Sequence, residues 1–191
     1  MLLLALLPAA AAQAVSSQAF TPAPVLDHPV LEVRLGADSG AVGEGEGLQR
    51  PTICAEVSPL ARLSVGACGN GAGFLHDDQV SDMAHFRARY AAWMARRGRL
   101  EGAALAGAGF AEVQRPGDTA GFDFGEVQEG AVEAAGAELS LGARGRYWFD
   151  PKAFLTVDVT AGGAWVPGAV EVLDQNSPLV PFGALTVGVG F

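Results

Sequence analysis

Large apolar residues alternate with small or polar ones, two residues at a time, along several stretches of the chain. In the last of them Leu185, Val187, Val189 and Phe191 fall on one face, and Ala184, Thr186, Gly188 and Gly190 on the other. Earlier, Leu155, Val157, Val159, Ala161 and Trp165 alternate with Thr156, Asp158, Thr160, Gly162 and Ala164. Leu139, Leu141, Ala143, Tyr147 and Phe149 alternate with Glu138, Ser140, Gly142, Arg144 and Arg146, and Leu31, Val33 and Leu35 with Glu32, Arg34 and Gly36. A period of two predicts strands. In a soluble sandwich the polar face would meet water. Here the charges share their face with glycine, alanine and serine, and they carry both signs. That pattern suits a closed wall whose bulky side faces lipid and whose other side faces a crowded lumen, where opposite charges pair.

Other segments fit the same scheme less cleanly. Ile53, Ala55 and Val57 can face out while Thr52, Cys54 and Glu56 face in; Leu63, Val65 and Ala67 then oppose Arg62, Ser64, Gly66 and Cys68. The stretch 99–114 is so rich in Ala and Gly that its facing is ambiguous. Over 80–98 two readings compete. Ser81 or Asp82 as a cap, Met83, Phe86, Tyr90 and Met94 at helical spacing, and Gly98 as a stop describe a helix. As a strand, Phe86, Ala88, Tyr90, Ala92 and Met94 alternate with His85, Arg87, Arg89 and Ala91. Local propensity favours the helix, whereas a closed bacterial barrel needs an even number of strands, which selects the strand.

With eight strands the connections alternate in length. The long ones are 41–50, 69–79, 115–130 and 167–178; the short ones are Ser58-Pro59-Leu60, the RRGR of 96–99, and Asp150-Pro151-Lys152. The expected fold is therefore an all-β, eight-stranded, antiparallel up-and-down transmembrane barrel with four long external loops and short periplasmic turns.

Composition supports this and narrows it. Half of the 191 residues are hydrophobic, only 17% are charged and 26 are Gly. After the first residues no apolar run reaches the roughly 18 needed for a spanning helix. The opening MLLLALLPAAAAQA ends in Ala12-Gln13-Ala14, the small-x-small pattern of an export cleavage site, although its only positive charge is the α-amino group. The expected organisation is a signal peptide over 1–14, a short segment over 15–27 and the barrel over 28–191. A net charge of −9 argues against nucleic acid as a partner. Two cysteines in an exported chain suggest one disulfide. A hairpin folded about residue 61 places Cys54 opposite Cys68, and both then point into the lumen.

The leader, the alternating strands, the aromatic residues near strand ends (Tyr147, Trp148, Trp165) and the terminal Phe191 together resemble the small eight-stranded outer-membrane barrels of Gram-negative bacteria. The resemblance covers essentially the whole mature chain. It implies residence in the outer membrane among phospholipid and lipopolysaccharide. It also implies that Phe191 belongs to the signal read by the barrel-insertion machinery.

Candidate chemistry is sparse. Nucleophilic catalysis needs Ser, His and an acid within hydrogen-bond reach. Of the three histidines, His28 precedes a proline, His76 sits in an acidic loop, and His85 opens the 80–98 segment; no GxSxG occurs. His85 with Ser64 or Ser140 across a lumen would be needed for a lipid-A-modifying hydrolase, so no catalytic residue is assigned. His76-Asp77-Asp78 and the acidic Asp118, Asp123, Glu126 and Glu129 lack metal-loop spacing and read as solvated loops, so no metal or cofactor is assigned. At Gly69-Asn70-Gly71-Ala72 the phosphate-loop pattern breaks down.

The long loops are acidic against Arg50 and Arg115, whereas the short turns carry Arg96, Arg97, Arg99 and Lys152 beside Asp150. Such a crown would attract cations or a basic surface partner. Inside, Glu32, Arg34, Glu56, Arg62, Arg87, Arg89, Glu138, Arg144, Arg146 and Asp158 are expected to form a salt-bridged plug, since eight strands leave only enough width for side chains. The expectation is a non-enzymatic barrel acting through its surface loops in surface interaction or envelope integrity. The alternative of a different class is a soluble lipocalin-like barrel binding an apolar ligand, which requires the greasy face to point inward.

Overall fold

The computed structural model describes residues 29–39, 50–69, 81–115 and 130–191. The leader at 1–14, the segment 15–27, His28, His76 and the acidic residues Asp118, Asp123, Glu126 and Glu129 lie outside the described residues.

The strands are β1 (Val30–Asp38), β2 (Arg50–Leu60), β3 (Leu63–Gly69), β4 (Asp82–Arg97), β5 (Leu100–Gln114), β6 (Glu133–Asp150), β7 (Ala153–Trp165) and β8 (Leu179–Gly190), with one helical turn, α1 (Ala169–Val172), between β7 and β8. Each strand pairs antiparallel with the next, and β8 returns to β1 to close the barrel. Phe191 faces outward, and its backbone exchanges two hydrogen bonds with Leu31, of 2.9 and 3.0 Å, at the seam. The 80–98 segment is strand from Asp82 onward, because ladders to β3 on one side and β5 on the other outweigh its helical propensity.

Three short turns join β2 to β3, β4 to β5 and β6 to β7, at 61–62, 98–99 and 151–152. Gly98 takes φ 59°, a left-handed conformation that glycine adopts without strain. In the third turn the Asp150 carboxylate accepts the Lys152 N–H at 2.9 Å.

The first turn is not at Ser58-Pro59-Leu60, as the sequence suggested. β2 runs on to Leu60, with the ladder slipping between Val57 and Leu60 around Pro59, which has no N–H to contribute. The slip carries Arg62 out of the lumen: it sits exposed in the turn and donates to the Ala91 carbonyl at 3.3 Å. A bulge in β4 between Ala91 and Trp93 leaves both Ala92 and Trp93 exposed. It also turns Met94, expected outside, toward the inner side opposite Ala103.

Register settles the ambiguous fifth strand. Glu101, Ala103, Leu105, Gly107 and Gly109 lie opposite the inward-facing Arg146, Arg144, Gly142, Ser140 and Glu138. The small residues are required there: a Cβ at Gly107 would stand 2.4 Å from Ser140 Oγ.

The remaining strands face as their alternation predicts. Leu35, Val65, Leu139, Leu141, Leu155, Val157, Val159, Leu185 and Val187 point outward, with Leu141 71% and Val157 49% exposed. Tyr90, Trp93, Tyr147, Phe149 and Phe191 ring the short-turn end, and Trp165 and Leu179 lie toward the other. Phe86 and Phe110 stack on neighbouring strands with centroids 4.9 Å apart.

Candidate functional site

Inward-facing side chains are arranged in layers along the lumen. At the end where β7 passes into β8, the layer is apolar: Met83, Val113, Ala134, Val166, Val180 and Phe182 pack with Ala169, Val172 and Leu173 of the α1 segment. Because 169–173 reads Ala-Val-Glu-Val-Leu, this connection has an apolar face to bury and folds inward as a cap. Arg115 fastens it by donating from Nε to the Val172 carbonyl at 2.9 Å and from Nη2 to the Glu171 carbonyl. An arginine is well placed at those last helical carbonyls, which have no partners within the helix. Asp174, with φ 52°, then turns the chain out of the helix.

The next layer holds His85, which is fully buried. Its Nδ1 lies 2.7 Å from Glu138 Oε2 and its Nε2 lies 3.3 Å from Asp38 Oδ2. Arg87 binds the other Glu138 oxygen at 2.8 Å, and the His85 ring packs on Phe182 at 4.4 Å. Both ring nitrogens of His85 thus face carboxylates, which leaves neither for Ser64 or Ser140.

Around the waist runs a continuous set of ion pairs. Arg34 bridges Glu32 at 2.5 Å and Glu56 at 3.2 Å. Arg89 pairs with Glu56 and, at 3.0 Å, with Asp158. Arg144 reaches Glu56 at 2.7 Å, Asp158 at 2.8 Å and Glu32 at 3.6 Å. Arg146 joins Glu32 at 2.8 Å to Glu101 at 3.1 Å. Thr160 donates to Asp158 at 2.8 Å. Charged groups this buried are tolerable only when paired and hydrogen-bonded, and the pairing here crosses from strand to strand.

Aromatic residues close the short-turn end. Trp148 and Phe154 pack at 4.6 Å with Val30; Arg146 lies over the Phe154 ring at 4.6 Å and Arg96 over the Trp148 ring at 5.0 Å. Trp148, grouped from sequence with the interfacial aromatics, is therefore an inner residue.

Nine of the ten expected lumen charges lie in these two sets of ion pairs, whereas Arg62 lies exposed in the β2–β3 turn. Asp38 and Glu101 join them unannounced. Asp38 continues the inner face Glu32, Arg34, Gly36, so alternation pointed to it, whereas Glu101 needed the β5–β6 register. Cys54 and Cys68 are direct cross-strand partners, both buried, and form a disulfide.

No protein-family model matches the sequence, and no curated protein is similar enough in sequence to count as a relative. Solved structures do match in shape. Neisserial surface protein A (NspA) superposes with a TM-score of 0.52 over 87% of this chain and 97% of its own, at 9% identity. The fold is that of a small outer-membrane barrel. Ail, the attachment invasion locus protein of Yersinia pestis, aligns over 85% of this chain and 96% of its own at 13% identity, with a TM-score of 0.36. At these identities the likeness concerns the fold alone, and the rest must come from this chain's own faces. Those faces exclude the lipocalin-like alternative, because the greasy side chains point outward and the lumen is charged.

Proposed function

We propose that this chain is a non-enzymatic barrel of the outer membrane, closed along its axis by its own side chains and acting through the segments that join its strands outside. The observation that carries the reading is the composition of the outer wall. Between the Trp165 level and the Tyr147 level, where Arg97 ends β4, no outward-facing side chain of the described strands is charged. Between Leu155 and Trp165 a β7 of about eleven residues matches the length a tilted strand needs to cross a hydrocarbon core. In water such a surface would be an aggregation hazard; against lipid it is the stable arrangement, with aromatic girdles at the two interfaces.

Closure of the lumen is the second part of the reading. The apolar cap, the ion-pair waist and the Trp148–Phe154 layer together favour a plug over a conducting pore. A reconstituted barrel is expected to give no steady channel current in a planar bilayer. Regular single-channel steps at neutral pH would remove this part while leaving the membrane assignment standing.

Function then falls to the connections, through surface interaction or envelope integrity. Lipopolysaccharide and phospholipid are the surrounding partners, and a basic surface partner would be drawn by the acidic residues of the long loops. Cell fractionation with gel migration before and after boiling tests the main reading. The chain is expected in the outer-membrane fraction and to shift on heating. A soluble periplasmic chain without heat modification would defeat it. The rival reading as a lipid-A hydrolase makes His85 indispensable, and unchanged envelope lipids in a His85→Ala strain would remove that rival.

A further inference from the structure

At the short-turn mouth of the barrel, between the β2–β3 turn and strands β4 to β6, lies a small cavity whose charged lining is entirely cationic. Arg62, Arg144 and Arg146 line it with Ser58 and Ser64, and among the described residues no carboxylate does. Its volume is about 20 Å³. We propose that this cavity is a binding site for a monatomic anion, with chloride as the physiological ligand.

Two observations beyond the lining support this. The first is an unused donor. Arg144 is 96% buried by its side chain, yet its Nη2 has no hydrogen-bond partner among the described residues, although Nε and Nη1 are taken by Asp158 and Glu56. A buried guanidinium N–H left without an acceptor is costly, and an anion in the cavity would supply one. The second is charge balance. In the linked set at the waist, Glu32, Glu56, Glu101 and Asp158 offset Arg34, Arg89, Arg144 and Arg146, so that network is neutral by itself. Arg62 is additional. It belongs to none of the ion pairs among the described residues and contributes one uncompensated positive charge at the rim of the same cavity.

A single anion between Arg62 and Arg144 neutralises that charge and satisfies the idle N–H. Size sets the class. The space accommodates about one water-sized species, which admits a halide and rejects the four-oxygen shell of phosphate or sulfate. The displaced β2–β3 turn is what creates the site, since the slip at Pro59 brings Arg62 to the mouth instead of into the waist.

The test uses the full chain, refolded in detergent, with bromide as the probe. Crystals soaked in bromide are expected to show an anomalous peak within hydrogen-bond reach of Arg144 Nη2 and beside Arg62. In solution, chloride-35 NMR line broadening should saturate with protein, fall as bromide competes, and be unaffected by sulfate at equal ionic strength. Arg62→Gln, at an exposed position, should fold normally and bind about tenfold more weakly, the loss expected for one charged contact. A cavity containing water alone in bromide-soaked crystals, or broadening unchanged in Arg62→Gln, would overturn the proposal.

Discussion

Arg144 is the residue on which the lumen's electrostatics converge, with Glu56, Asp158 and Glu32 all within 3.6 Å of its guanidinium. Removing it leaves those buried carboxylates without their shared partner. Arg144→Ala should therefore cost about 3–5 kcal/mol, read as a lowered midpoint in urea unfolding from detergent. Arg62→Ala, made in chloride-free sulfate buffer, should stay within about 0.5 kcal/mol of the parent, because the side chain is exposed. The two arginines looked alike in the sequence, each on the polar face of an alternating run. What separated them was Pro59: a missing N–H disturbs a ladder, but only the assembled pair shows where the register slips. Glu101 was hidden for the converse reason, since Ala and Gly on both faces of β5 leave no amphipathic signal until the neighbouring strand supplies Arg146.

Single elements show where a local pattern suffices and where it does not. β6 and β7 could be read almost residue by residue, since lipid and lumen demand opposite chemistry at adjacent positions. In β4 the pattern held only as far as Ala91, where the bulge reverses the facing of Met94. The connection to β8 has the length of an ordinary loop, yet its Val172 and Leu173 pack into the apolar inner layer and Arg115 bonds to the Val172 carbonyl. Arg115→Ala should accelerate amide exchange over 169–173 several-fold while leaving exchange in β6 and β7 unchanged, a difference readable by mass spectrometry. Unaltered exchange in the mutant would mean that apolar packing alone holds α1. At the seam, a Cβ on Gly36 would stand 2.0 Å from the Leu185 carbonyl. Gly36→Val should accordingly prevent β1 from pairing with β8, leaving a chain that no longer shifts on heating in the gel assay. A normally heat-shifting Gly36→Val barrel would show that the seam has more room than its geometry indicates.

For the molecule as a whole, closing the sheet removes every edge and sorts side chains by face, with an apolar wall outside and, inside, paired charges between an apolar and an aromatic layer. That sorting was legible early, because a two-residue period with glycines among the charges suits few other environments. Strand count and the alternation of connection lengths carried the topology. The cap, the aromatic floor of Trp148 and Phe154 and the cavity at the mouth were not legible, since each is assembled from three or more strands. Leu141→Arg, in the middle of the outer wall, should destabilise the lipid-inserted barrel by about 2–4 kcal/mol, whereas Leu141→Ala should be far milder; equal effects would indicate that the wall does not meet hydrocarbon.

The facing of β7 decides whether the barrel's apolar wall meets lipid. Spin labels placed one at a time from Leu155 to Thr160, in the barrel reconstituted in lipid, report oxygen and nickel-chelate accessibility at each position. High oxygen accessibility at Leu155, Val157 and Val159, with low accessibility to both agents at Thr156, Asp158 and Thr160, is the predicted result. Nickel access at 155, 157 and 159, or loss of the two-residue alternation, would contradict it.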